Sequence, residues 1–368
     1  MNPTQIALTM LPGLGCKSLR QLLDIYPNTD EIFALSHKQL KELFGNHNDI
    51  IHAIENKTTM AEAEKEVETL MQHGADTLFC TEPEYPQRLN QAGCEDTPAL
   101  LYRMGKCDLN AKRSVAMVGS RKATDYGRTI TSRLIQEMRT DNVLVVSGLA
   151  YGIDTAAHKA SVENGVPTVG VLGHGLDQLY PAQNRELAQR MIDQGGALIT
   201  EYRTGTAINP VYFPARNRIV AAMSDATVVI EAAERGGALI TANIANSYHR
   251  EVFAVPGRLD DPYSAGCNNL IANNKALIIR NAGDILFQMG WRSTRKPSSQ
   301  NSLQQELFAT LSKEEQTIVD LLTQNREMTF DDFVTKSSFS HPKIAALLMD
   351  LELKKVIRCL PGRIYKII

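Results

Sequence analysis

Several short stretches of this 368-residue chain combine glycines, hydroxyls and cations in a manner suited to holding phosphate. In "VGSRK", Gly119 is followed by Ser120, Arg121 and Lys122. Glycine admits a ligand close to the backbone, the hydroxyl donates a hydrogen bond, and the guanidinium presents a fork matched to phosphate oxygens. A helix starting near Gly127 would add backbone N–H groups and its positive dipole end. "SGLAYGID" sets Ser147, Gly148 and Gly152 ahead of a second helix, with Asp154 placed to cap it. "GHGLDQLYP" joins two glycines to Asp177 and Tyr180. "VVIEAAERGGALITA" opens a helix at Gly236 and Gly237, with Thr241 one turn in. Ahead of it, "NPVYFPARNRIVAAMSD" puts Arg216, Asn217 and Arg218 at the start of a helical run whose apolar side is Ile219, Val220 and Met223.

Standard cofactor patterns do not account for these stretches. A dinucleotide site needs G-x-G-x-x-G and an acid closing the second strand, and here that strand ends "VVSGLA". A Walker loop needs Gly-Lys-Ser/Thr, which is also missing. Gly119 equally suits a plain tight turn, with Arg121 paired to Asp125. Aromatic residues gather in the same connections: Tyr126, Tyr151, Tyr180, Tyr202, Tyr212 and Phe213. Cations for phosphates and rings for bases are the ingredients of single-strand binding, where stacking contributes roughly 1–3 kcal/mol per base. Each ring alone is better explained by loop packing; together they favour a groove along one sheet edge. No catalytic constellation accompanies them. His158 sits inside a helical run, and His174 lies between two glycines with no nucleophile or carboxylate at recognisable spacing. Asp154, Asp177, Glu201 and Glu231 stand singly, without the D-x-D or H-x-H pairs that anchor a metal. No catalytic residue, metal or cofactor is expected, and the acids suit holding Arg121, Arg216 and Arg218 in place.

An alternating α/β segment must position such tips. Between residues 110 and 290, apolar runs at "SVAMV", "VLVVS", "PTVGVL", "ALITE", "ATVVI", "VFAVP" and "ALII" alternate with helical patterns. Parallel strands joined by crossover helices need this spacing, and ligands then sit beyond the carboxyl ends of the strands. The expected fold is α/β, an extended Rossmann-like, doubly wound, mostly parallel sheet. Residues 1–109 are expected to form a small helical domain with its connection, and carry 9 Lys/Arg against 16 Asp/Glu. The core at 110–290 carries 18 against 16, so any basic surface is local. Residues 291–311 are polar and Ser/Gln-rich, a linker by composition. In 312–368, "SKEEQTIVDLLTQ" opens with a capping-box pattern, two more helices follow, and "KVIRCLPGRIYKII" turns at Pro361-Gly362, the order of a winged helix. Six cysteines without a C-x-x-C pair suit free thiols in a reducing cytoplasm. Neither a signal peptide nor a membrane-spanning run is read.

Taken in order, "VGSRKATDYG", "SGLAYGIDTAAHKA", "GHGLDQLYPAQN", "FPARNRIVAAMSD" and "GGALITANIANSYHREVFAVPG" resemble the successive motifs of the DprA (Smf) DNA-processing proteins over about residues 110–283. The resemblance implies a non-enzymatic, cytoplasmic protein that binds single-stranded DNA, protects incoming strands, loads the RecA recombinase in natural transformation and dimerises through its core. It implies DNA phosphate on Gly119, Ser120 and Arg121, with Arg216, Asn217 and Arg218 along the same face. Lys122, Ser147, Gly148, Gly236, Gly237 and Thr241 complete the expected nucleic-acid site. Gly236 stands where the family usually has Ser, and Cys267 where Thr is common. "LTMLPGLGCKSLRQLL" resembles a helix-hairpin-helix element, in which Gly13 and Gly15 could present amides to phosphate; its acidic setting favours a structural or regulatory use. The winged helix offers Lys343, Lys354, Lys355, Arg358, Arg363 and Lys366 to duplex DNA, with a protein contact equally open. Two other classes compete: a nucleotide-binding enzyme or sensor, phosphoribohydrolase-like, using the same phosphate tip, and a transcription regulator using the winged helix. "EAAERGGALITA" lacks the Pro-Gly-Gly-x-Gly-Thr pattern of the former.

Overall fold

The apolar runs pair into one sheet because their side chains alternate between two buried faces. The computed structural model describes residues 1–91, 93–292, 311–325, 327–354, 356–360 and 363–367. Most of the expected linker, Lys355, and the Pro361-Gly362 turn lie outside the described residues. Residues 1–294 and 295–368 make two compact units.

The first unit opens with helices α1 (Pro3–Thr9), α2 (Cys16–Ile25), α3 (Thr29–Ile32), α4 (His37–Phe44), α5 (Asn48–Glu55) and α6 (Met60–Gln72). Strands β1 (Ala75–Phe79), β2 (Leu100–Gly105), β3 (Arg113–Val118), β4 (Val143–Ser147), β5 (Thr168–Val171), β6 (Ala197–Thr200), β7 (Ala226–Val229), β8 (Glu251–Ala254) and β9 (Leu277–Ile278) follow. Their order in the sheet is β1-β2-β6-β5-β4-β3-β7-β8-β9. From β6 to β9 every pairing is parallel, while β1 and β2 join antiparallel at one edge. The chain moves outward from β3 through β4, β5 and β6, then crosses to β7 on the other flank of β3. This reversal is a topological switch point, where the loops beyond the strand ends part and leave a crevice.

Helices α7 (Asp125–Met138), α8 (Ile153–Glu163), α9 (Arg185–Asp193), α10 (Tyr212–Ala222), α11 (Gly237–Ser247), α12 (Ala265–Ala272) and α13 (Ala282–Gln288) follow the strands, with α7, α8 and α13 on one face and α10 and α11 on the other. Period-2 alternation divides β3 between them. Val115 and Met117 pack with Leu134, Ile135 and Ile285, while Ala116 and Val118 pack with Ile219, Val220 and Ala242. All of these lie below a tenth exposed, and each fully buried Val, Leu, Ile or Met contributes about 1.5–3 kcal/mol.

Residues 75–105, read from sequence as part of the helical domain and its connection, supply two strands to this sheet. Their pattern is that of an antiparallel edge, shorter in apolar residues than the buried parallel runs. Asp76 and Arg103 face each other across β1 and β2, and Arg103 Nε donates to Asp76 Oδ1 at 2.8 Å. The N-terminal helices share a continuous apolar cluster with β1, β2, Leu172 and Leu198. Arg20 on α2 ties them to the loop before β2, donating to Thr97 O at 3.1 Å and Tyr85 Oη at 3.0 Å.

The second unit contains α14 (Lys313–Asn325), β10 (Glu327–Thr329), α15 (Phe330–Lys336), α16 (His341–Leu353), β11 (Ile357–Leu360) and β12 (Ile364–Ile367). The strands form an antiparallel sheet, β10-β12-β11, the wing of a winged helix. The capping box at its start forms as the sequence predicts: Ser312 N–H donates to Glu315 Oε2 at 2.8 Å, and Glu315 N–H to Ser312 Oγ at 3.2 Å. Among the described residues no helix is long and apolar enough to cross a membrane.

Candidate nucleic-acid interface

The stretches singled out in the sequence all fall at the carboxyl edge of the parallel strands, on either side of the switch point between β3 and β7. Three of the helix N-termini there differ in what they hold. At α7, Gly127 N–H donates to the Thr124 side chain, while Thr124 N–H donates to Glu231 Oε2 at 2.9 Å and its hydroxyl to Oε1. Glu231 is 1% exposed, and a Cβ at Gly127 would run into its carboxylate. The anion sought by this dipole is therefore a carboxylate of the chain itself. At α8, the buried Asp154 turns back to accept from Gly148 N–H and Ala150 N–H at 3.2 and 3.4 Å. Helix α11 alone of the three has neither a capping side chain nor an acid in its first turn. Its Gly236 and Gly237 are exposed, and a Cβ at Gly236 would meet nothing within 4 Å.

The glycines at the first two tips serve close packing. Ser120 N–H donates to Glu231 O at 2.7 Å, and Ser120 O accepts from Ile153 N–H at 3.1 Å. A Cβ at Gly119 would strike Ile153, and one at Gly152 (φ +81°) would strike the Ser120 carbonyl. Gly119 and Gly152 thus let the tips of β3 and β4 lock onto α8. Ser120 Oγ accepts from Lys122 N–H at 3.0 Å and shapes the loop that carries the cations.

Four residues expected on the ligand face lie beneath it. Ser147 is fully buried and donates to Met117 O at 2.6 Å; Thr241 is buried and donates to Gly237 O at 3.1 Å. Arg216 is 3% exposed, with its guanidinium donating to Gly148 O and Val171 O. Gly148, also buried, has no room for a Cβ because the Arg216 guanidinium packs on it. Burial pulls Arg216 down to about 10, against the pull of nearby Asp154, and burial likewise raises Asp154, against the pull of Arg216. Arg218 is bound to Glu201 through two contacts of 2.5 and 2.7 Å and donates to Asp96 O at 3.0 Å. The acids do hold Arg218 and face Arg216, as the sequence reading allowed.

Cations and rings at the surface share the strand tips with the exposed acids Asp125, Asp177 and Glu234. Arg121, Lys122 and Arg235 are exposed, and among the described residues no carboxylate pairs with them. Arg121 sits over the Phe213 ring at 5.7 Å. Phe213 lies 5.5 Å from Tyr180, which meets Tyr151 edge-on at 6.5 Å. These rings and Arg121 line one depression. Asn217 is half-buried beside the open end of α11. Sequence reasoning passed over Arg235, although a cation directly before Gly236-Gly237 is a legible signal for an open helix end.

Both histidines are structural. His174 is fully buried, its Nε2 accepting from Tyr180 N–H at 3.1 Å, which makes Nδ1 the donor to Gly175 O at 2.9 Å. His158 Nδ1 bonds Thr168 Oγ1 at 2.8 Å, and burial pulls the ring down to about 3. An exposed histidine titrates near 6.5, so below that pH the unfolded chain takes up a proton that the folded chain refuses. The stability of the neutral ring is complete above about pH 6.5 and is lost as the pH falls toward 3. His158→Phe is expected to remove up to about 1.4 kcal/mol per pH unit of acid sensitivity. Urea unfolding at about pH 6, 5 and 4 measures it, and an unchanged slope would show that the ring is protonated within the fold.

At the front, Gly13 (φ +77°) and Gly15 are exposed in the turn between α1 and α2. In the winged helix, Lys343 pairs with Glu314 and Lys354 with Glu315, both at 2.7 Å, leaving Arg358 and Arg363 exposed. On the outer side of α16, Met349 and Leu353 are 65% and 72% exposed, beside the exposed Asp350 and Glu352. Among the described residues no group of three or more His, Cys, Asp or Glu could hold a metal.

Comparison with known proteins agrees with this architecture. The family model for DNA recombination-mediator protein A matches residues 76–290, and that for the DprA winged helix domain matches 301–363. Protein Smf of Synechocystis is 34% identical over 300 residues, covering 77% of this chain and 72% of that protein. DNA processing protein DprA of Streptococcus pneumoniae is 40% identical over 204 residues, covering 55% of this chain and 71% of that protein. The X-ray structure of the S. pneumoniae protein superposes with a TM-score of 0.67 at 32% identity, covering 78% of this chain and 97% of that one. A structure describing the single-stranded DNA binding mode of DNA processing protein A from Helicobacter pylori superposes with a TM-score of 0.52 at 27% identity, covering 58% of this chain and 95% of that one. The family match spans the whole sheet and every strand-end loop described above, and the chain belongs to the DNA recombination-mediator protein A family, the one its motifs resemble.

Proposed function

We propose that this chain binds single-stranded DNA along the carboxyl edge of its parallel strands and passes it to the RecA recombinase during transformation. The observation that carries the reading is the exposed Arg121, free of any carboxylate among the described residues and set against the Phe213–Tyr180–Tyr151 cluster. Phosphates fall to Arg121, Lys122, Arg235 and the open N-terminus of α11 beside Asn217. Bases stack on the rings. An unpaired strand can expose its bases to such rings, whereas a duplex keeps them stacked inside. The H. pylori relative described for its single-stranded DNA binding mode supports the same ligand here.

The residues a nucleotide-hydrolysing alternative would draw on are otherwise engaged. Glu231 is buried against Thr124, and His174 is bonded at both ring nitrogens. Self-association through the core fits the sheet's β9 edge, where Leu277 and Ile278 are 43% and 53% exposed. The exposed Met349 and Leu353 of α16, with Asp350 and Glu352 beside them, favour a protein over duplex DNA as the partner of the winged helix.

Fluorescence anisotropy with labelled oligo-dT and a duplex of equal length, over a salt titration, tests the central claim. Tight, salt-sensitive binding of the single strand alone is expected. Equal affinity for both, or binding of neither, would overturn it.

A further inference from the structure

A cavity of about 450 Å³ lies between α1, α2 and α6 on one side and the ends of β2 and β6 on the other. It lies on the far side of α10's first turn from Arg121. Adjacent residues of that turn divide between the two places: Phe213 packs under Arg121, while Tyr212 lines the cavity and stacks on Tyr202 with ring centres 4.4 Å apart.

The walls mix polar and apolar residues, and both of their carboxylates are paired with arginines. Arg203, the cation among the lining residues, donates to Glu62 at 2.6 Å, and the lining Glu201 is bound by Arg218. No lining cation is left over for a phosphate. One polar group is left over: the Tyr102 hydroxyl is buried and has no hydrogen-bond partner among the described residues. Buried hydroxyls are normally paired, and a ligand that enters the cavity and shifts the Tyr102 ring would supply the partner this one lacks. The volume is within the range of small-molecule sites, and the stacked tyrosines offer a flat aromatic surface.

We propose that this cavity receives a nucleobase, stacked against the Tyr202–Tyr212 pair and hydrogen-bonded to the Tyr102 hydroxyl. The assignment rests on the single-strand reading: phosphates keep to the unpaired cations of the strand tips, and one base turns past Tyr212 into the neutral cavity. Consecutive Cα atoms are about 3.8 Å apart, so the first turn of α10 joins the two places directly. The N-terminal helices then act as one wall of the DNA site, although that segment is acidic, because a neutral base has no quarrel with its charge.

Cys16 is a free, half-buried thiol in the cavity wall and serves as the reporter. Its alkylation by iodoacetamide is followed by peptide mass spectrometry in the full-length protein, with Cys107 and Cys359 as internal controls. Three probes are compared: oligo-dT, an abasic oligomer of equal length, and free thymidine. The expected result is that oligo-dT slows Cys16 alkylation at least about five-fold while the abasic oligomer, which carries the same phosphates, does not. Protection by thymidine alone also supports the site, with a free nucleoside as the source of the base. Equal Cys16 rates with and without bound oligo-dT overturn the inference and leave the single-strand reading standing. Absence of oligo-dT binding by anisotropy refutes that reading itself. Should Cys16 prove unreactive from the outset, Tyr102→Phe decides, since it keeps the ring and removes only the hydroxyl. Affinity for oligo-dT is expected to fall about 2- to 10-fold with affinity for the abasic oligomer unchanged. Equal affinities of wild type and variant for oligo-dT overturn the assignment.

Discussion

Arg121→Ala lowers the affinity for oligo-dT by roughly 10- to 100-fold while leaving the fold intact. The magnitude follows from one charge-assisted hydrogen-bonded contact, worth about 1.5–3 kcal/mol. The fold survives because Arg121 is exposed, pairs with no carboxylate among the described residues, and lays its guanidinium over the face of Phe213. The variant also shallows the dependence of log affinity on log salt by about 0.7, the signature of one lost phosphate contact on a single strand. Arg121→Lys keeps the charge but loses the fork, so it falls between the two with a wild-type salt slope. Lys159→Ala, an exposed cation on α8 beside Glu163, serves as the control and leaves binding unchanged. Anisotropy over a salt titration measures all three variants. Wild-type affinity in Arg121→Ala at physiological salt would remove the strand tip of β3 from the DNA site.

Arg216→Met gives the opposite outcome: a loss of stability of about 3–5 kcal/mol, the usual cost of leaving a buried charge without its compensating neighbour. The Gly148 and Val171 carbonyls lose their donor, and Asp154 stays buried without its nearby cation. The effect has a defined pH dependence. Burial already raises Asp154 above its ordinary value, and a carboxyl raised in the fold loses stability as the pH climbs through its folded pKa. Without Arg216 the carboxyl rises further. The difference between variant and wild type is therefore largest near neutral pH and shrinks toward about pH 4, where the unfolded chain also protonates. Urea unfolding of both proteins at several pH values checks it. A variant of wild-type stability that fails to bind oligo-dT would return Arg216 to the ligand face.

This pair of predictions separates residues that the sequence presented alike. Arg121, Arg216 and Arg218 each stand in a short polar motif beside a strand or helix start. Nothing local tells them apart, because α10 is apolar on several sides: Ile219, Val220, Ala221 and Ala222 are all buried. Two arginines two positions apart on a helix point in very different directions, so the rotation of α10 against the sheet sends Arg216 inward and Arg218 to Glu201. The same holds for glycine. Gly119 and Gly148 read as room for a ligand, yet Ile153 and the Arg216 guanidinium fill that room, as the Glu231 carboxylate fills the space beside Gly127.

By itself the sequence determined the parallel α/β core, the winged helix with its Ser312 capping box, and the family to which the ordered motifs belong. These are short-range properties: strand period, helix caps and turn residues are written within a few positions of one another. Tertiary structure decided that β1 and β2 extend the sheet, that Glu231 closes the N-terminus of α7 from 107 residues away, and that Arg216 is buried while Arg235 is not. Those outcomes depend on which strands become neighbours. The order β4-β3-β7 brings the Val118 and Val229 strand ends side by side, and it is set by the summed burial of two core faces, a quantity that no local pattern contains.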